Sequence, residues 1–102
     1  MTRTVSVNGW AYALTALQAA VPGYQGGRAK SATFVGNNAA ITYLHINESA
    51  TQPVTFTDGL PLSTVAASAP GPSYTAENVD MAGIWLYTPS AQNVTICVIN
   101  VT

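Results

Sequence analysis

The segment from Met81 to Thr102 constrains this chain most. Ile84 to Thr88 and Val94 to Val101 are dense in β-branched and aromatic residues, which suit a pleated, packed surface. The residues between them, Pro89-Ser90-Ala91-Gln92-Asn93, are turn formers, so the pair predicts a β-hairpin with a longer loop. Along the second strand Val94, Ile96 and Val98 share one face; Thr95, Cys97, Ile99 and Val101 share the other. Both faces are largely apolar. Such a strand has to be covered on both sides, by a second sheet or by a neighbouring subunit.

Upstream, the period of the apolar residues changes twice. Thr2 to Val7 alternates as a short strand or extended arm and ends at Asn8-Gly9, a pair that tolerates positive φ. In Trp10 to Ala20 the stripe Trp10, Leu14, Leu17, Val21 has helical spacing, with Asn8 as cap and Pro22-Gly23 as stop. About three turns of helix are too few to stand alone, so the stripe must dock on the open end of a β core or on another subunit. Tyr24-Gln25-Gly26-Gly27 reads as a loop or linker. The expected division is an N-terminal arm and short helix over 1–27 and a β-sandwich domain over 28–102.

Strand patterns then recur at Ala29 to Val35 and at Ala39 to Asn47, where Ile41 and Tyr43 alternate with Thr42, Leu44 and Ile46. Further strands are expected at Gln52 to Thr57, near Thr64 to Ala67, and at Ser73 to Ala76; Pro53 makes the first of these an edge, or stands as its first residue. Turn signals separate them at Gly36-Asn37-Asn38, Glu48-Ser49-Ala50-Thr51, Asp58-Gly59 and Glu77-Asn78-Val79-Asp80. Turns roughly every ten residues predict an all-β fold, a small antiparallel β-sandwich or jelly roll with a short N-terminal helix. No internal repeat is visible.

At 102 residues the chain supports one domain, and 48% hydrophobic content excludes disorder throughout. Only 7% of residues are charged, against about a quarter in ordinary globular proteins. With a formal net charge of -1 there is little repulsion to keep copies apart, which suits life in an assembly. The basic residues are Arg3, Arg28 and Lys30, too few to neutralise a phosphate backbone, so nucleic acid is not an expected partner. No apolar run approaches the ~20 residues of a membrane-spanning helix. Arg3 followed by Trp10 to Ala20 faintly resembles a signal peptide, but Ser6, Asn8 and Gly9 interrupt it, and the segment is read as mature protein.

Candidate chemistry is sparse. The carboxylates Glu48, Asp58, Glu77 and Asp80 all sit at turn signals, where they cap or solvate. His45 is the single histidine, without ligand spacing around it, and is expected to be a hydrogen-bonded sheet residue. Cys97, the lone cysteine, excludes an internal disulfide and is expected to be a buried packing residue with a raised thiol pKa. Asn-x-Ser/Thr triplets at Asn47, Asn93 and Asn100 are expected by chance in a chain this rich in Asn and Thr. No catalytic, cofactor-binding or metal residue is assigned, and no cofactor is expected. Trp10, Tyr12, Tyr24, Tyr74 and Trp85 could stack on a sugar, although core and subunit interface are the preferred roles for such rings. The interface candidates are Trp10, Tyr12, Leu14, Leu17, Val21 and Tyr24.

Three stretches carry a resemblance: Thr33-Phe34-Val35-Gly36-Asn37, Asp58-Gly59-Leu60-Pro61-Leu62, and Asn78 to Tyr87 leading into the Val/Ile-rich terminal strand. Over about residues 29 to 101 the chain resembles small virion proteins of tailed bacteriophages, which pack a short β-sandwich or jelly roll against capsid, tail or fibre. The resemblance implies a non-enzymatic structural protein, first of all a capsid cement or decoration protein, made in the host cytoplasm and carried in the virion. Its partner would be the major capsid protein or another virion protein. It would be a homo-oligomer, with a trimer implied by the three-fold positions that cement proteins occupy. Trp10 to Ala20 lies outside the resemblance. A carbohydrate-binding module or a fibre or tail-tip binding domain is the alternative.

Overall fold

In the computed structural model the segment expected to turn does not turn: β6 (Ile84–Asn100) runs through it as one strand. Residues 1–36, 41–47, 49–62 and 73–100 are described. Extended, β6 is paired on both edges. Along one edge lies β1 (Thr2–Tyr12), antiparallel from Thr2↔Cys97 to Tyr12↔Trp85. Along the other lie β2 (Arg28–Gly36), against 94–100, and then β3 (Thr42–Ile46), against 84–87.

The turn formers are absorbed in a bulge. The β1–β6 register jumps from Val7↔Gln92 to Gly9↔Thr88, so Asn8 faces the three exposed residues Pro89, Ser90 and Ala91. Proline has no N–H to offer a ladder and is accommodated where the ladder is already broken. Gly9 takes φ 75 at the same place, so Asn8-Gly9 bends a strand instead of reversing it.

The sheet is completed by β4 (Leu60–Leu62) on β3 and β5 (Ser73–Asp80) on β2, giving the order β4-β3-β6-β2-β5 with β1 on β6. All pairings are antiparallel. The fold is all-β with one short helix, as its turn spacing predicts, and the six strands curl into a nearly closed barrel-like shape. One curled sheet thus supplies the enclosed face that a sandwich would build from two. Inside lie Val5 and Val7, Ala32 and Phe34, Leu44, Ile84 and Leu86, and Val94, Ile96 and Val98, all buried. Each large side chain among them gains about 1.5–3 kcal/mol from burial.

The helix α1 (Ala13–Ala20) starts three residues later than its stripe suggests. Trp10, Ala11 and Tyr12 hydrogen-bond to β6 as strand, opposite Tyr87, Leu86 and Trp85. A short helix without tertiary support is marginal, and the ladder outcompetes it for those residues. Asn8 is therefore not the cap; Tyr12 holds that position and makes no side-chain capping bond. Ala13 and Leu17 are fully buried in the common core, and α1 packs on β1, on β6 and on the 3-10 turn Met81–Gly83. The expected arm over 1–27 is accordingly not separate from 28–102. Its strand is integral to the sheet, and its helix helps close the core.

Three local expectations are also revised. Gln52 to Thr57 is not a strand; it leads into a 3-10 turn at Phe56–Asp58. Glu77 to Asp80 is not a turn but the second half of β5, with Asn78 at φ 51. Of the strand expected over Ala39 to Asn47, β3 leaves out Ile41 and Asn47, and Ala39 and Ala40 lie outside the described residues. The strand expected near Thr64 to Ala67 and the turn residues Asn37, Asn38 and Glu48 lie outside the described residues.

Candidate docking surface

On the outside of the barrel, the strand ends meeting beside the bulge carry a grid of rings. In β1 the outward residues are Trp10 and Tyr12, in β6 Tyr87 and Trp85, in β3 Tyr43 and His45. The register sets them in two rows, Trp10↔Tyr87↔Tyr43 and Tyr12↔Trp85↔His45. Ring centroids lie 5.1 Å apart for Trp10 and Tyr87, 4.9 Å for Tyr12 and Trp85, and 6.2 Å across the diagonal from Trp10 to Trp85. Phe56, from the first 3-10 turn, stacks on Tyr87 at 4.2 Å with 14° between planes and meets Tyr43 edge-on at 5.3 Å. Most pairs are tilted or edge-to-face, the arrangement ring quadrupoles favour. All of these rings except His45 are partly exposed.

His45 is the buried member, at 4% exposure. Its Nε2 lies 3.0 Å from the carbonyl oxygen of Phe56; a carbonyl only accepts, so this nitrogen carries the hydrogen. The expected hydrogen-bonded sheet histidine is thus observed, and its bond ties the 3-10 turn to the grid. Gly59 lies directly over the imidazole: a Cβ there would stand 2.5 Å from Nε2. Tyr12 donates its hydroxyl hydrogen to the carbonyl of Ala82, pinning the other end of the grid. The indole Nε1 of Trp85 is buried with no hydrogen-bond partner among the described residues. Leaving such a donor unpaired costs about 1–3 kcal/mol.

Beyond the bulge the same outer face changes character. Thr4 and Thr95 share a hydrogen bond of 2.9 Å between hydroxyls, Thr33 and Thr75 one of 2.8 Å, and Ser6 donates to Asn93 Oδ1 at 3.2 Å. Cys97 stands among them, opposite Thr2 and Thr33, and is partly exposed, so its expected burial is not observed. The inward positions of β6 are the even-numbered ones, and Cys97 falls on the other set.

The candidate residues separate accordingly. Of the six interface candidates, Trp10 and Tyr12 lie on the grid, whereas Leu17 is fully buried and unavailable to any partner. Leu14 is packed against Gly26, and Val21 and Tyr24 are partly buried near the end of α1. Burial pushes the Tyr24 phenol above its ordinary pKa, and its hydroxyl has no partner among the described residues. Of the five possible sugar-stacking rings, Trp10, Tyr12 and Trp85 come together; Tyr24 packs on the core and Tyr74 sits on β5. Tyr43, His45, Phe56 and Tyr87 are the members missed. For three of them the signal existed: Trp10/Tyr12, Tyr43/His45 and Trp85/Tyr87 are all spaced i, i+2, which puts each pair on one face of a strand. Nothing local marks Phe56.

Other polar groups play structural parts. Asp80 Oδ1 accepts the Ala82 N–H at 3.0 Å and caps the second 3-10 turn. Gln92, 3% exposed, donates from Nε2 to Thr42 Oγ1 inside the barrel, and Thr88 donates to the carbonyl of Val7 at 2.9 Å. A groove of about 360 Å³ is lined by Lys30, Ser31, Glu77, Asn78 and Ile99, with no metal-ligating cluster in it among the described residues. Among the described residues no three His, Cys, Asp or Glu side chains are grouped to hold a metal, and no helix is long and apolar enough to cross a membrane. No protein-family model, no curated protein and no solved structure matches this chain.

Proposed function

We propose that this chain is a non-enzymatic structural protein whose aromatic grid seats on the surface of a larger protein assembly. The observation that carries this is the grid: six partly exposed rings and one buried imidazole on one outer face, without a charged side chain among them. Interface cores are enriched in Trp, Tyr and Phe and depleted in charge. The resemblance to small tailed-phage virion proteins suggests the setting, a cement or decoration protein on an assembled capsid, with the major capsid protein or another virion protein beneath it. Its action would be mass action: a protein that binds the assembled lattice but not dispersed subunits stabilises the lattice.

A sugar ligand is the second reading, favoured by the convergence of Trp10, Tyr12 and Trp85. Ring geometry counts against it. A sugar needs an open ring face, and the Phe56–Tyr87 stack covers one face of each of those two rings. Particles assembled with and without the chain distinguish the two. The expected result is that the chain cosediments with particles and raises their heat resistance. Trp10→Ala is expected to weaken binding by about 30-fold, the loss of a 2 kcal/mol hot spot. Unchanged binding in Trp10→Ala, or retention on a glycan array with no affinity for particles, would overturn the docking role.

A further inference from the structure

Every strand at the limit of a sheet carries a row of backbone groups that needs an occupant or a guard. Among the described residues this barrel has three such strands. Strand β4 has three residues, one of them Pro61, and is too short to recruit a neighbour. Strand β5 carries Glu77 and the left-handed Asn78, and Arg28 Nη1 covers the Asn78 carbonyl at 2.6 Å. Strand β1 is different. From Thr2 to Val7 it has no proline, no glycine and no bulge, and its one charge is Arg3.

The hydrogen-bond phase of β1 shows which groups face outward. Met1 and Val98 exchange bonds in both directions, Met1 N to Val98 O at 2.9 Å and Val98 N to Met1 O at 2.7 Å. In an antiparallel ladder such pairs alternate. Arg3, Val5 and Val7 therefore point their N–H and C=O groups at β6, and Thr2, Thr4 and Ser6 point theirs away from the sheet. The Thr2 carbonyl is occupied by Arg3 Nη1 at 2.8 Å. Among the described residues no strand pairs with the rest of this edge.

We infer that the β1 edge is a self-association surface, taking β1 of a second copy in antiparallel pairing about a two-fold axis at Thr4. In that register Thr4 faces Thr4, Thr2 faces Ser6, and Arg3 of each copy faces Val5 of the other. The two arginines are never directly opposite, and the hydroxyls of both copies lie on one outer face. Pairing joins two curled sheets through their unguarded edges, and two-fold closure leaves only the short β4 and the guarded β5 edges. An antiparallel self-pairing is two-fold by construction, so this edge makes a dimer and not a trimer. The aromatic grid lies at the other end of β1 and stays open in the pair.

Light scattering on a size-exclusion column tests this without any partner or particle. At high micromolar concentration the expected mass is twice the 10.6 kDa of the chain. Thr4→Pro removes an outward N–H and the exposed hydroxyl bond to Thr95 while leaving the backbone bonds to β6 in place, and is expected to return the mass to 10.6 kDa with the circular dichroism of the fold retained. Amide exchange on the unaltered protein gives an independent reading. The Thr4 and Ser6 amides are expected to be protected when concentrated and to lose protection on dilution, while Val5 and Val7 stay protected throughout. A single-chain or trimeric mass, a folded Thr4→Pro variant that remains dimeric, or fast exchange of Thr4 and Ser6 at every concentration would each overturn the inference.

Discussion

The two halves of β6 have the same inner face and opposite outer faces. Inward, Ile84 and Leu86 before the bulge continue as Val94, Ile96 and Val98 after it, all buried. Outward, the first half presents Trp85 and Tyr87 within the ring grid, and the second presents Thr95 and Cys97 among hydroxyl pairs. The inner face answers to the barrel, which needs one continuous apolar filling whatever lies outside. The outer face is free of that demand. Its division at the bulge sets large, rigid, charge-free rings on one half and a hydroxyl surface on the other.

The largest effects are expected where the halves agree. Leu86→Ala, behind the rings, and Ile96→Ala, behind the hydroxyls, remove fully buried side chains from one core. Each is expected to cost about 2–5 kcal/mol in denaturant unfolding, and the two by similar amounts. A far smaller loss for Ile96→Ala would mean the core ends at the bulge.

The next effect belongs to the aromatic half alone. Gly59→Ala puts a methyl group 2.5 Å from His45 Nε2. Overpacking of this kind costs about 1–3 kcal/mol. It is also expected to push Phe56 off Tyr87, visible as lost near-ultraviolet dichroism from the stacked rings. A variant as stable as the parent, with that signal intact, would mean the 3-10 turn does not hold the grid.

The smallest effect is expected on the hydroxyl half. Thr33→Val deletes the 2.8 Å bond to Thr75 at an exposed cross-strand pair while keeping the β-branched shape. Its stability is expected to change by no more than about 0.5 kcal/mol. A loss of several times that amount would show the hydroxyl ladder to be a structural element in its own right, and would weaken the contrast between the halves.

Much of the fold could be read from local pattern. The β-rich class, strand β2, the core of β3 and the end of α1 before Pro22-Gly23 follow from side-chain period and turn chemistry, which act over a few residues. His45 could be placed because Leu44 and Ile46 put it in a strand. The grid was half legible: spacing i, i+2 marks each pair of rings, but only the register brings the pairs into rows.

What the sequence by itself determined, then, is the alternation that gives every strand an apolar inner face, together with the scarcity of charge on what remains. Tertiary structure decided the rest, because the competing local states were close in energy. Pro89 to Asn93 can form a turn or a bulge, and Trp10 to Tyr12 can open a helix or extend a strand. In both cases the long antiparallel pairing of β1 with β6 settled the choice, since it satisfies a whole row of backbone groups at once. That pairing also carried Cys97 to the outer face and tied residues 1–27 into the barrel. It joins residues more than seventy positions apart, beyond the reach of any local signal.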